Sequence, residues 1–267
     1  LVLAEQLNKT VSGKKIVSVE TEHTEHKFAW YEGDPQAYHE KMAGQVIGRC
    51  IGIGSMVEME VGEYSFVVGD GTNIRYYDAE EKLPERYQTR IVFEDGSSLL
   101  CTVQMYGSMF LILPHEYENP YYLVAKKKPM PGTEAFDCPY FCTLMQGLSK
   151  GTSAKAFLAT EQRIPGLGNG VLQDILLESG IHPKSKILAL SDEDFRRLYD
   201  TTVRLLTEMK NAGGRDTEKT LFGEAGGYET KLSRKNIGYC PHCGGPITKM
   251  AYLGGTVYFC SACQPLV

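Results

Sequence analysis

No apolar run in this chain approaches the ~20 residues that a helix needs to cross a bilayer, which excludes an ordinary transmembrane span. The stretch after Leu1 lacks the basic and apolar regions of a secretory leader. It also lacks a starting methionine, so residues ahead of Leu1 are expected to be missing from the sequence. There is no internal repeat, which argues against a stacked-repeat architecture. A basic excess is missing too: the net charge of −5 argues, at first sight, against a nucleic-acid partner. That deficit is uneven. Residues 1–145 carry 13 Lys and Arg against 21 Asp and Glu, whereas residues 146–267 carry 15 against 12. A local basic surface matters more than a whole-chain sum, so the C-terminal part remains suited to phosphates.

What is present is concentrated near the C-terminus. Cys240, Cys243, Cys260 and Cys263 form two C-x2-C units separated by sixteen residues. This spacing suits a tetrahedral four-thiolate zinc site, because each short knuckle brings two sulfurs toward one ion. Two disulfides or four buried thiols are the alternatives. The spacer (Ile247, Met250, Tyr252, then Val257, Tyr258 and Phe259 around Leu-Gly-Gly) predicts a β-hairpin joining the knuckles. Of the other cysteines, Cys50, Cys101, Cys138 and Cys142, three lie in apolar or aromatic surroundings and read as reduced core thiols. Cys138-x3-Cys142 has the alternative reading of half a metal site. Reduced thiols suit the cytoplasm.

Patterning divides the rest. Leu1 to Val11 predicts a short helix, with Leu3 and Leu7 one turn apart. Ile16–Val19, Val46–Glu60, Tyr64–Tyr77 and Tyr87–Pro114 are rich in β-branched and aromatic residues and predict strands, with Asp95-Gly96 as a hairpin turn. Asp34 to Met42 predicts a helix among them. This half reads as an antiparallel β-sandwich or barrel. Lys126 to Gly132 has linker composition, after which helices are predicted at Ala154–Gln162, Asn169–Ser179 and Ser191–Lys210. The last begins with Ser191, a hydroxyl cap, followed by carboxylates at the positive helix end. Gly213 to Lys235 reads as a loop.

Between the first two of these helices runs Ile164-Pro165-Gly166-Leu167-Gly168-Asn169-Gly170. Its glycines allow a sharp turn, Asn169 is placed to cap the next helix, and the helix-start N–H groups would face an anion. A plain helix–turn–helix connection fits equally. A dinucleotide-binding reading fails because no βαβ unit precedes the glycines.

The order of these parts resembles the formamidopyrimidine-DNA glycosylase and endonuclease VIII family. The matching stretches are Ala156 to Arg163, Ile164 to Asn169, Leu176 to Pro183 and both finger segments; the likeness is specific from 150 to 264 and looser before. It implies an α+β multidomain fold: an N-terminal antiparallel β-sandwich over 1–128, a helix-two-turns-helix domain over 129–235, and a β-hairpin zinc finger over 236–267. The expected function is base excision with abasic-site lyase chemistry on damaged duplex DNA. The nucleotide is flipped out because its C1′ is unreachable inside the stack. An N-terminal proline amine and a neighbouring Glu carry the family's chemistry. Neither is visible here, so the catalytic residues are expected upstream of Leu1. Gly168, Asn169 and Lys155 would face DNA phosphates. Gln104, Met105 and Tyr106 align with the family's gap-filling loop, Tyr106 as the wedge; an ordinary strand with a surface tyrosine is the alternative. One structural Zn2+, a monomeric protein, no membrane partner, and a bacterial cytoplasm with the nucleoid are expected.

Three departures accompany the resemblance. The Pro-Glu-Leu-Pro-Glu start is not in the sequence, the hairpin lysine aligns with Ser55, and the fingertip arginine aligns with Gly255. They leave open a second reading, a homologue that binds damaged or abasic DNA without cutting it. A zinc-ribbon protein with a partner other than DNA is a third, supported by the negative net charge.

Overall fold

The computed structural model describes residues 1–69 and 71–267. Contacts divide the chain into two compact units. One is Leu1–Tyr122 with Glu218–Ala225, and the other is Leu123–Thr217 with Gly226–Val267.

The first unit opens with helix α1 (Val2–Thr10), which buries Ala4 and Leu7. Asn8 fastens it to strand β3 (Ile47–Ile53) by acting as a strand partner. Its Oδ1 accepts from Cys50 N at 2.8 Å and its Nδ2 donates to Cys50 O at 2.6 Å. The remaining elements are β1 (Ile16–Thr21), β2 (Ala29–Tyr31), α2 (Tyr38–Met42), β4 (Met56–Val61), β5 (Tyr64–Gly69), β6 (Thr72–Tyr77), β7 (Thr89–Phe93), β8 (Ser98–Val103) and β9 (Gly107–Ile112). They form a four-stranded sheet, β1-β7-β8-β6, and a five-stranded sheet, β2-β9-β5-β4-β3. Pairing is antiparallel except between β2 and β9, which run parallel.

Ile16, Ile74, Ile91, Phe93 and Leu99 from the first sheet share one buried cluster with Met59, Phe66, Met109 and Leu111 from the second. That shared core makes the unit a sandwich. Asp95-Gly96 lies in the turn between β7 and β8, with Gly96 at φ 83°. One detail departs from simple alternation. A register shift between Ile16 and Ser18 lets Ile16 and Val19 both face inward and turns Val17 out.

Residues 213–235 contain no helix or strand, yet they are not slack. Leu221, within the part belonging to the first unit, is fully buried. Its N–H donates to Gln6 Oε1 at 2.9 Å and its carbonyl accepts from Tyr76 N at 3.0 Å. Thr220 to Glu224 closes as a tight loop around that anchor, with Thr220 N bonded to Glu224 O.

Helix α3 (Pro120–Lys127) carries the chain out of the first unit, and Lys126 and Lys127, read from composition as linker, close its last turn. The second unit contains α4 (Cys138–Thr143), α5 (Ala154–Ala159), α6 (Asn169–Glu178), α7 (Asp192–Asn211) and the hairpin β10 (Thr248–Tyr252) and β11 (Gly255–Phe259). Asp137, Ser153 and Ser191 cap α4, α5 and α7 through their side chains. Phe136, Phe141, Phe157, Phe195 and Tyr199 form an aromatic cluster at the centre of this unit. Helix α5 ends three residues before the sequence pattern suggests. Thr160 is extended and Glu161 and Gln162 take positive φ, so the chain leaves the helix there, and Arg163 folds back to add a bond at 3.0 Å to Ala156 O, which already accepts from Thr160 N.

Candidate nucleic-acid interface and metal centre

The four finger thiols converge. Cys240 Sγ lies 3.8 Å from Cys263 Sγ and Cys243 Sγ lies 3.5 Å from Cys260 Sγ. All four ligand atoms fall within 4.8 Å of one another. A bond of about 2.3 Å from sulfur to zinc sets tetrahedral edges of about 3.8 Å, whereas a disulfide requires about 2.05 Å. The cluster therefore has the dimensions of a metal site. Gly244, at φ 71°, donates its N–H to Cys240 O at 2.9 Å, and Gly245 N donates to Cys243 Sγ at 3.4 Å. Gln264, fully buried, holds the second knuckle to the helical core: its Oε1 accepts from Cys260 N and its Nε2 donates to Ile181 O, both at 2.9 Å.

The other cysteines divide differently from the sequence reading. Cys50 and Cys101 are buried and burial pushes both thiols up to about 12. Cys138 is half-buried and Cys142 exposed, one turn apart on α4. Among the described residues no third ligand joins that pair; the finger is the sole cluster of three or more.

The finger presents its hairpin tip to α6. Asn169 and Gln173, four residues apart and so on one helix face, both donate through their amides to Thr256 O at 2.9 Å. Gln173 Oε1 in turn accepts from Tyr258 N at 3.0 Å. Asn169 is therefore not a cap. Gly168 occupies the N-cap position without a side-chain bond, and Asn169 is the first helical residue, turned toward the hairpin. Lys155 lies buried on α5 and its ammonium donates to Tyr252 O. Burial pushes its pKa below the usual lysine range. A Cβ added to Gly255 would stand 3.0 Å from Asn169 Nδ2 and 3.4 Å from Lys155 Nζ. Gly168, Asn169, Lys155 and Gly255 thus meet at one place.

Three contributors escaped the sequence reading. Gln173 was reachable from its four-residue spacing to Asn169. Tyr252 and Lys184 were not: the Lys184 ammonium sits 5.2 Å from the Tyr252 ring centroid, and that of Lys155 sits 5.9 Å from it. Such a pairing of separate segments leaves no local mark in a sequence.

The hairpin turn itself is strained. Leu253 and Gly254 take φ 47° and 70°, the left-handed pair of a two-residue type I′ turn. Leucine carries a Cβ penalty there of roughly 1–2 kcal/mol. Replacing Leu253, which is half exposed, by asparagine should stabilise the finger by about 1 kcal/mol. Urea unfolding followed by Tyr emission or circular dichroism checks this; a lower midpoint would contradict the turn assignment.

In the first unit, Gln104, Met105 and Tyr106 form the turn between β8 and β9 and all three are exposed, so Tyr106 caps a turn rather than lying within a strand. Ser55 is exposed at the tip between β3 and β4, beside Gly54 at φ 58°, with its Oγ 3.2 Å from Tyr121 Oη.

A sandwich, a helical unit with a glycine turn ahead of an asparagine-headed helix, and a four-cysteine hairpin are the parts that the resemblance to DNA glycosylases implies. No protein-family model matches this chain. Curated relatives do. It is 30% identical over 197 residues to a formamidopyrimidine-DNA glycosylase of Listeria innocua, covering 71% of this chain and 70% of that protein. It is 28% identical over 268 residues to the Bacillus subtilis protein of the same name, covering 97% and 94%. Among solved structures, Lactococcus lactis Fpg in complex with abasic-site DNA has the same fold, with TM-score 0.82, 22% identity, and 98% and 97% of the two chains covered. A mutant of that Fpg with glycine in place of an arginine, in complex with THF-containing DNA, reaches TM-score 0.84 at 22% identity, with 99% and 97% of the chains covered. The chain belongs to the formamidopyrimidine-DNA glycosylase family.

Proposed function

We propose that this protein is a base-excision DNA glycosylase with abasic-site lyase chemistry, acting as a monomer on damaged or abasic duplex DNA with the target nucleotide swung out of the stack. It would work at the nucleoid of a bacterial cytoplasm. Among the described residues, no helix is long and apolar enough to cross a membrane. The observation that carries the reading is the meeting of Asn169, Lys155 and the fingertip at Gly255. Asn169 has two amide hydrogens and Lys155 three ammonium hydrogens, and each spends one on the hairpin backbone. The remaining donors, with the N–H groups opening α6, suit a backbone phosphate. Lys184 adds a second positive charge beside Tyr252.

Zn2+ is the ion we assign to Cys240, Cys243, Cys260 and Cys263, since four thiolates at these separations match its tetrahedral preference. When bound it supplies structure only, holding the hairpin that receives Asn169 and Gln173. The division into 1–128, 129–235 and 236–267 belongs to the same proposal. So does Tyr106 as the residue that fills the gap in the duplex, with Gln104 and Met105 beside it.

Ser55 and Gly255 bring no charge to the two hairpin tips. Each phosphate neutralised adds about 0.9 to the slope of log affinity against log salt. Abasic duplex should therefore be bound with a slope flatter by about 2 than by a relative carrying lysine and arginine there, and Lys155→Gln should flatten it by about 1 more. Fluorescence anisotropy across a salt series measures both, and a slope as steep as the relative's rejects this alignment of the tips. Borohydride trapping on the same duplex tests the chemistry. A covalent adduct establishes the amine nucleophile; binding without an adduct favours the non-cutting homologue.

A further inference from the structure

The chain has one tryptophan, and it is held half in solvent. Trp30 is 46% exposed, and Phe28 (47%), Tyr106 (49%) and Met105 (75%) are exposed as well. The parallel pairing of β2 with β9 brings Phe28 and Trp30 beside the turn that carries Met105 and Tyr106: Ala29 stands opposite Gly107, Trp30 opposite Ser108, and Phe28 O accepts from Gly107 N at 2.9 Å. The Trp30 and Tyr106 rings lie 6.1 Å apart at 31°. At that distance they are already in mutual contact range, so they form one continuous surface rather than a pincer.

The ground beneath is rigid. A Cβ on Gly107 would fall 2.2 Å from Thr72 Oγ1 and 2.8 Å from Val103 Cγ2. A Cβ on Gly71, at φ 85°, would fall 2.5 Å from Tyr106 O. Both glycines therefore allow backbone approaches that fix the turn carrying Tyr106. At the patch edge, the Lys27 ammonium sits 5.5 Å from the Phe28 ring centroid, and the His26 ring packs edge-on against Phe28 at 6.5 Å.

A contiguous apolar patch on an otherwise polar surface marks an interaction site. Flat aromatic faces with a cation at the rim match a nucleobase and its phosphate, the pairing that stacking platforms for unpaired nucleic acid use. We propose that Trp30 and Tyr106 form a joint stacking surface for a base that has lost its partner in duplex DNA, with Lys27 meeting the adjoining phosphate. This rests on the DNA-binding reading above and extends it. The sequence assigned the gap-filling role to Tyr106 with Gln104 and Met105, whereas the structure joins to it a second ring from a strand more than seventy residues earlier in the chain.

Since Trp30 is the sole tryptophan, its emission reports this patch directly. Full-length protein is titrated with abasic-site duplex and with intact duplex of the same sequence, reading Trp30 emission and the anisotropy of labelled DNA together. The expected result is quenching by the abasic duplex at the anisotropy midpoint, with little quenching by intact duplex. Trp30→Leu, which keeps apolar bulk, should weaken abasic-duplex binding about tenfold, and Trp30→Phe by less. Because Trp30 lies at the surface, both variants should keep the wild-type melting temperature; should Trp30→Leu melt early, Trp30→Phe carries the comparison. Binding with unchanged emission and undiminished affinity in the variants overturns the stacking surface and leaves the DNA-binding reading standing. Equal quenching by both duplexes overturns its selectivity for an unpartnered base. Emission that changes with protein concentration alone assigns the patch to a second copy of the chain. Absence of binding to either duplex removes the DNA-binding reading and this proposal together.

Discussion

Cys260→Ser should release the metal and unfold the hairpin while leaving the aromatic core of the helical unit intact. Cys260 is 1% exposed and its sulfur stands against Cys243 at 3.5 Å, so serine would put a harder, shorter donor where a thiolate is required. Structural zinc contributes on the order of 10 kcal/mol to folding such a module. Its own apolar contribution is small, mainly Val257, Tyr258 and Phe259 on β11, and in the cluster that Tyr258 shares with Leu177 and Leu232 the other two buried members are Cys240 and Cys260, two of the four clustered thiols. Metal content should fall from one equivalent to none, and limited proteolysis should open the chain between 236 and 267. DNA affinity should fall more than tenfold with it, because Thr256 O and Tyr258 N no longer hold Asn169 and Gln173. Treating the wild-type protein with a thiol-directed mercurial and a chelator should reproduce each effect. A variant that keeps its metal and its protease resistance would overturn the four-thiolate assignment.

Asp174→Ala should destabilise the second unit by about 4 kcal/mol. Asp174, fully buried on α6, accepts from Leu232 N at 2.8 Å, Lys231 N at 3.0 Å and Tyr228 Oη at 3.1 Å. Alanine would strand three donors, two of them backbone groups with nowhere else to turn. Burial raises the Asp174 pKa above the ordinary 3.8, and the hydrogen bonds and Arg215 only partly oppose it. A carboxyl whose folded pKa is raised binds its proton more tightly in the native state, so stability falls as pH rises from about 3.8 through the folded value, then levels. The alanine variant should lose that slope as well as its stability. Urea midpoints measured across this pH range read both; a variant within about 1 kcal/mol of wild type would mean that the 228–232 segment has other anchors.

Where the sequence was legible, the signal was local or strictly spaced. Cysteine pairs, the Asp95-Gly96 turn and the Ser191 cap each depend on residues within a few positions. Long-range choices were not legible. Nothing near Leu221 distinguishes a buried anchor from loop, since its partners Gln6 and Tyr76 lie far off in the chain. Val17 reads as an ordinary strand residue, and only the bulge beside it decides that it faces solvent. Asn169 heads α6 as expected, but its side chain answers to Thr256, a partner supplied by the finger. At the site, the sequence supplied Lys155, Gly168 and Asn169, and the structure added Gln173, Lys184 and Tyr252.

The buried strap at Leu221 also bears on the order in which the protein is made. The sandwich is almost wholly encoded by residues 1–122, yet one of its core residues is separated from them by nearly a hundred positions. During synthesis the first unit must wait, with an uncovered apolar socket and with Tyr76 N and Gln6 Oε1 unpaired, until residues 218–225 have left the ribosome. Neither unit is therefore a contiguous cassette. A fragment cut after α3 would carry a sandwich lacking its last piece, and supplying residues 218–225 as a separate peptide is the direct way to restore it.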